Sequence, residues 1–187
     1  MPPIRDSRER WGLVSILIHW LTVLAILFMG GLGLYMTSLP IGAEKVQLYA
    51  LHKSLGISLL ALVLFRLLWR LLNPRPALPP MPRWQRIAAH ASHGLLYLLL
   101  IAIPLSGWVM NSAANFPLVW FGLIELPAIA APDPGLRALA GEVHEALYWL
   151  LLLIALVHAS AALKHHLHDR DHVLRNMLGL GPARPRP

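Results

Sequence analysis

HEALYWLLLLIALVHASAALKHH, residues His144–His166, carries the reading of this chain. Its centre, Ala146–Leu163, holds no Asp, Glu, Lys or Arg. A run of this length and polarity reads as a membrane-spanning helix. Ionisable groups at membrane depth are costly, so His144 and His158 each call for a partner. Fourteen residues separate them. That spacing turns a helix by about 1400°, close to four full turns, and advances it ~21 Å. Both imidazoles therefore face nearly the same way at two depths. Working outward, His19 and His52 sit inside or at the mouth of two other apolar segments and can supply one partner each.

Composition agrees with a bilayer. The 187 residues are 57% hydrophobic and 13% charged, and the mean hydropathy is +0.58. A soluble domain is about 25% charged. The net charge is +7, but the basic residues cluster beside apolar segments, where anionic lipid headgroups, not nucleic acid, are the simpler partner. The chain has no cysteine. This excludes disulfides, thiolate-held iron–sulfur clusters and covalent haem attachment through Cys-x-x-Cys-His.

Four segments are long enough to span, about 13–36, 51–72, 87–110 and 143–163. They predict an all-α, integral membrane four-helix bundle that forms a single domain over 1–187. The first segment follows Arg5, Arg8 and Arg10; its apolar core is too long for a signal peptide, so it reads as retained. Basic residues set the orientation. Three lie at the N-terminus, five around the second-to-third connection and five in the C-terminal tail, which makes 13 of 16. By the positive-inside rule both termini and the Pro-rich loop 73–82 are cytoplasmic. The long loop 111–142 is then outside, and its apolar stretch Phe116–Leu126 lies on the membrane surface or covers the bundle.

Orientation assigns depth. His19 and His158 fall at similar depth near the cytoplasmic side, while His52 and His144 open their helices at the outer side. The expected pairs are His19 with His158 and His52 with His144. Two histidines leave zinc under-coordinated when no Cys or carboxylate is near. A porphyrin supplies the other four ligands itself, so the expected cofactors are two non-covalent b haems with the four histidines as iron ligands. Small residues near the ligands, Ser15, Gly56, Gly141, Ala155 and Ala162, would let a flat group approach. Arg66 and Arg70 either pair with haem propionates or serve only as positive-inside anchors; Arg66 is the propionate candidate.

With Ser15–Trp20 (SILIHW), His52–Leu72, Ala89–Tyr97 (AHASHGLLY) and His144–His166 in this order, the chain resembles the bacterial cytochrome b561 family of di-haem membrane cytochromes. The resemblance covers nearly the whole chain. It implies axial ligation by His19, His52, His144 and His158, and an activity like that of superoxide:quinone oxidoreductases. The alternative is an electron-transfer subunit that serves a partner dehydrogenase or other redox protein. Quinone reduction needs protons, and the quinone-side candidates near the cytoplasmic surface are His90, His93 and His165. A solvated interface histidine is the plainer account of each. His166, His168 and His172 with Asp169 and Asp171 form either a surface metal site or, by default, a solvated tail. A superoxide donor would need a positive outer funnel. Only Lys45, Lys53 and Arg137 lie outside, against Glu44, Glu125, Asp133, Glu142 and Glu145. Trp108, Trp120 and Trp149 are candidate interface anchors.

Overall fold

The computed structural model describes residues 2–77 and 80–180. Loop residues 78–79 and the tail from 181, with Arg184 and Arg186, lie outside the described residues. The chain is mostly helical. Helix α1 runs Leu13–Ser38, α2 Ala43–Leu72, α3 Arg83–Ala113 and α4 Pro134–Lys164. A π-helical turn, His165–Asp169, continues α4, and a short α5 covers Val173–Met177. All four long helices are long and apolar enough to cross a membrane, which is compatible with a membrane four-helix bundle.

Two expectations need correction. The chain is not all-α: Leu118–Trp120 (β1) and Ile124–Leu126 (β2) form a two-stranded antiparallel hairpin, with Val119 opposite Glu125. Its turn places Phe121 at φ 47° and Gly122 at φ 73°, and Leu123 N–H closes it on Trp120 O at 2.9 Å. Two successive positive φ values make a hairpin turn that normally takes Asn-Gly, so Phe-Gly gave no signal. Second, α2 and α4 start eight and nine residues earlier than the apolar runs, at Ala43 and Pro134. Polarity marks the edge of a span and not the end of a helix. The start of α4 is a capped one: Asp133 Oδ1 accepts from Gly135 N at 2.7 Å and Leu136 N at 3.0 Å, and Pro134 follows the cap, where its missing N–H costs nothing. His52 and His144 therefore lie within their helices and do not open them.

Packing divides the chain into two compact units. One gathers residues through Leu21, Leu64–Tyr97 and those from Leu152 onward; the other gathers Thr22–Val63 and Leu98–Leu151. Each contains a segment of every long helix.

In the first unit the N-terminal segment folds back over the start of α1. Leu13 N donates to Pro3 O at 2.7 Å and Ala77 N to Arg8 O at 3.2 Å. Asp6 is buried; its carboxylate accepts from Gly12 N and Ser15 Oγ, both at 2.6 Å. A carboxylate at a helix N-terminus satisfies free N–H groups and opposes the helix dipole. Asp6→Ala is therefore expected to lower stability by about 1–2 kcal/mol, read as a lower melting midpoint by circular dichroism in detergent. A midpoint equal to wild type would show that the cap contributes nothing.

In the second unit the hairpin is pinned to α2. Ser54, 2% exposed, accepts from Phe121 N at 2.9 Å and donates to Val119 O at 3.4 Å. Trp120 Nε1 donates to Ser58 Oγ at 3.0 Å. Irregular backbone near an apolar span must find such partners in protein. The apolar stretch expected on the surface or over the bundle is thus docked on α2.

Candidate functional site

The first unit brings His19 and His158 together, with ring centroids 6.5 Å apart at 61°. The second brings His52 and His144 together, 6.3 Å apart at 69°. Two imidazoles that share one metal ion through bonds of about 2 Å place their centroids about 6 Å apart. Both pairs have this spacing. Among the described residues, no group of three or more His, Cys, Asp or Glu is arranged to hold a metal ion. A metal at either pair would need further ligands from a non-protein group, as a porphyrin provides.

The surroundings of His52 and His144 fit a flat group. Gly33 of α1 and Gly107 of α3 flank the pair: a Cβ at Gly33 would lie 3.4 Å from His52 Cε1, and one at Gly107 would lie 3.1 Å from His144 Cε1 and 3.3 Å from its Nδ1. His144 Nδ1–H donates to Ile103 O at 2.9 Å, with Ser106 Oγ at 3.1 Å. A hydrogen bond at one ring nitrogen fixes the tautomer and leaves the other as a metal ligand. Pro104 inside α3 stands beside that carbonyl. His52 Nδ1 is buried with no hydrogen-bond partner among the described residues.

His19 and His158 are surrounded by donors. Arg66 Nη2 donates to His19 Nδ1 at 2.9 Å. Arg66 and Arg70 both stack on the Tyr97 ring, at 5.5 and 5.4 Å from its centroid. Trp69 Nε1, on the same face of α2, is buried without a hydrogen-bond partner among the described residues. A donor-rich, acceptor-poor environment fits a carboxylate-bearing group. One rearrangement is required. Arg66 can only donate, so His19 Nδ1 must accept, whereas a neutral imidazole bound to metal through Nε2 carries its proton on Nδ1. The Arg66–His19 bond and such ligation exclude each other, and Arg66 must turn to another acceptor.

Of the other candidates, only His93 is placed against a histidine pair, its ring 5.1 Å from that of His158. His90 Nδ1 donates to Arg86 O at 2.7 Å, within its own helix. His165 Nδ1 lies 3.0 Å from Asp169 and 2.8 Å from Asp171, and Lys164 Nζ also reaches Asp169 at 2.8 Å. The two aspartates of the suggested tail metal site thus face His165. Of the outer cations, Lys45 donates to Thr37 O and Leu39 O, and Lys53 to Asn111 Oδ1 and Pro117 O. Trp108 and Trp149 donate to Pro127 O and to Glu145.

Sequence reasoning passed over Gly33, Gly107 and the contact of Arg66 with His19, yet one signal was available. Gly33 follows His19 by fourteen residues, Arg66 follows His52 by fourteen, and Gly107 follows His93 by fourteen. This is the His144–His158 interval. Each long helix therefore repeats one face at the same interval, with a glycine or a polar group at each level. Tyr97, Trp69 and the Ser54–Ser58 pins have no such pattern.

Comparison with known proteins agrees with these features. The family described as prokaryotic cytochrome b561 matches residues 10–180. The chain is 40% identical over 177 residues to cytochrome b561 homolog 2 of Escherichia coli K12, covering 93% of this chain and 94% of that protein. It is 28% identical to cytochrome b561 homolog 1 of the same organism, over 91% of this chain and 97% of the relative. It is also 28% identical to a protein of Yersinia pestis named probable superoxide oxidase CybB, over 91% and 96%. With four apolar helices, two histidine pairs and a family match along nearly all its length, the chain belongs to the prokaryotic cytochrome b561 family of membrane electron-transfer proteins.

Proposed function

We propose that this protein is a di-haem b-type cytochrome of the bacterial inner membrane that passes electrons from an outer donor to quinone. The observation that carries the reading is the pair of imidazole–imidazole distances, 6.5 and 6.3 Å, each suited to one shared iron. His19 with His158 would hold one haem and His52 with His144 the other, and bound haem supplies one-electron carriage. Arg66, released from His19, would meet a propionate, with Arg70 and Trp69 Nε1 as further donors. The basic residues of both termini and the Pro-rich loop support a cytoplasmic placement of these parts.

Superoxide is the proposed donor, because a relative bears the name superoxide oxidase. The balance is two superoxide ions giving two O₂, while one quinone takes two electrons and two protons. His93 and His165 are the proposed proton-side groups. His165→Ala is expected to slow quinone reduction several-fold and to leave haem content intact; unchanged kinetics would reject that role. One observation favours the second reading, a subunit serving a partner protein: Lys45, Lys53 and Arg137 are outnumbered by Glu44, Glu125, Asp133, Glu142 and Glu145 in the outer segments, which leaves a weak funnel for an anion.

Two measurements test the proposal in order. A dithionite-reduced minus oxidised spectrum with haem quantified per chain should give two b haems. Single-turnover mixing with superoxide in the presence of quinone should then reduce and reoxidise them. No haem in protein expressed with ample haem supply would sink both redox readings, and loaded protein inert to superoxide would leave the partner-subunit reading.

A further inference from the structure

Lys53 directly follows His52 on α2, and the electron-transfer reading gives it no task. Its Nζ donates to Asn111 Oδ1 at 3.1 Å and to Pro117 O at 3.0 Å. Asn111 lies four residues beyond Gly107 on α3, and Gly107 is the residue against the His144 ring. Four residues advance a helix ~6 Å. The ammonium is therefore anchored about one helical turn from the His52–His144 pair, by a side chain on α3 and a carbonyl at the base of the hairpin. Lys45 is different: its donors satisfy the end carbonyls of α1, as lysines at helix C-termini commonly do. Beside the Lys53 contact is a cavity of about 260 Å³ whose wall includes Asn111, Asn115, Pro117 and Glu125. Glu125 is the acidic group of that wall.

We propose that Lys53 is a positioning charge that raises the reduction potential of the centre formed by His52 and His144. The inference rests on the reading of those histidines as axial ligands. Reduction removes one positive charge from the iron, so a fixed cation nearby disfavours the oxidised form more than the reduced one. At an effective dielectric of about 20, a unit charge about 10 Å away changes such an equilibrium by on the order of tenfold. Tenfold corresponds to 59 mV for one electron. The tether matters because a lysine stem is flexible: without Asn111 and the Pro117 carbonyl the charge would move into water and its effect would be screened. The consequence for function is direction of fit. A raised potential makes this centre a better acceptor for an outer donor.

The test is a redox titration of the full haem-loaded chain in detergent, with the outer signal identified as the one lost in His144→Ala. Lys53→Met should lower the outer midpoint by about the tenfold equivalent and leave the inner midpoint in place. Lys53→Arg should hold it near wild type. The double variant Lys53→Met, Asn111→Lys should recover it, because the cation returns from the other side of the same contact. Lys45→Met should move neither midpoint. An outer midpoint unchanged in Lys53→Met overturns the proposal, and so does failure of the double variant to recover it. If Lys53→Met does not load haem, Asn111→Asp decides: it keeps the lysine contact and cancels the charge, so an unchanged midpoint again overturns it. Retention of both haems in His144→Ala would instead overturn the ligand assignment, and with it this proposal.

Discussion

His158→Ala is expected to lose the inner of the two haem signals while the outer one remains. The substitution removes one of two imidazoles that stand 6.5 Å apart and leaves His19 alone. Loss of even an outer-shell partner typically costs 10–100-fold in metal affinity, and loss of a ligand costs more. His93 complicates the outcome in an informative way. Its ring is 5.1 Å from that of His158, near enough to replace it after a modest shift. Residual haem in His158→Ala should then vanish in His93→Ala, His158→Ala. Haem per chain together with the reduced-minus-oxidised spectrum reads both variants. Two unaltered haems in the double variant would remove His158 from the ligand set.

Gly107→Leu should have the complementary effect and spare the inner signal. A Cβ at this position would already stand 3.1 Å from His144 Cε1, and the rest of the leucine has to displace the ring. Overpacking of this kind costs about 1–3 kcal/mol in a core. Here it also strains the bonds from His144 Nδ1 to Ile103 O and Ser106 Oγ, which fix the tautomer. The outer haem should be lost or converted to a form with altered spectrum. Gly33→Leu should act in the same direction on His52 and more weakly, since its Cβ would lie 3.4 Å from that ring. A Gly107→Leu protein with two wild-type haem signals would show that the glycines merely allow helix packing.

How much of this was legible in the sequence depended on the type of pattern. The four spans and the proximity of His19 to His158 and of His52 to His144 follow from apolar length and helical pitch, which tertiary context hardly alters. The fourteen-residue repeat of Gly33, Arg66 and Gly107 was equally available, but it needed all four helices to be read at one interval. The start of α4 was written locally in Asp133-Pro134-Gly135 and was hidden by attention to apolar runs. The hairpin could not be read. Phe121 holds a positive φ that bulky residues avoid, and Ser54, 67 residues away in sequence, accepts its N–H. Likewise no spacing rule foretells that Tyr97 stacks under two arginines, or that His165 meets two aspartates where the chain reverses at Arg170.

The placement of His144 and His158 on one helix has a consequence for biosynthesis. Among the described residues α4 is the last long helix to be translated, and it brings one member of each pair. The hairpin and its serine pins are already made by then, since α2, β1 and β2 all precede α4. A nascent chain that lacks α4 therefore has neither histidine pair complete. On the proposed reading, in which each pair holds one haem, cofactor capture would wait until the fourth span is translated.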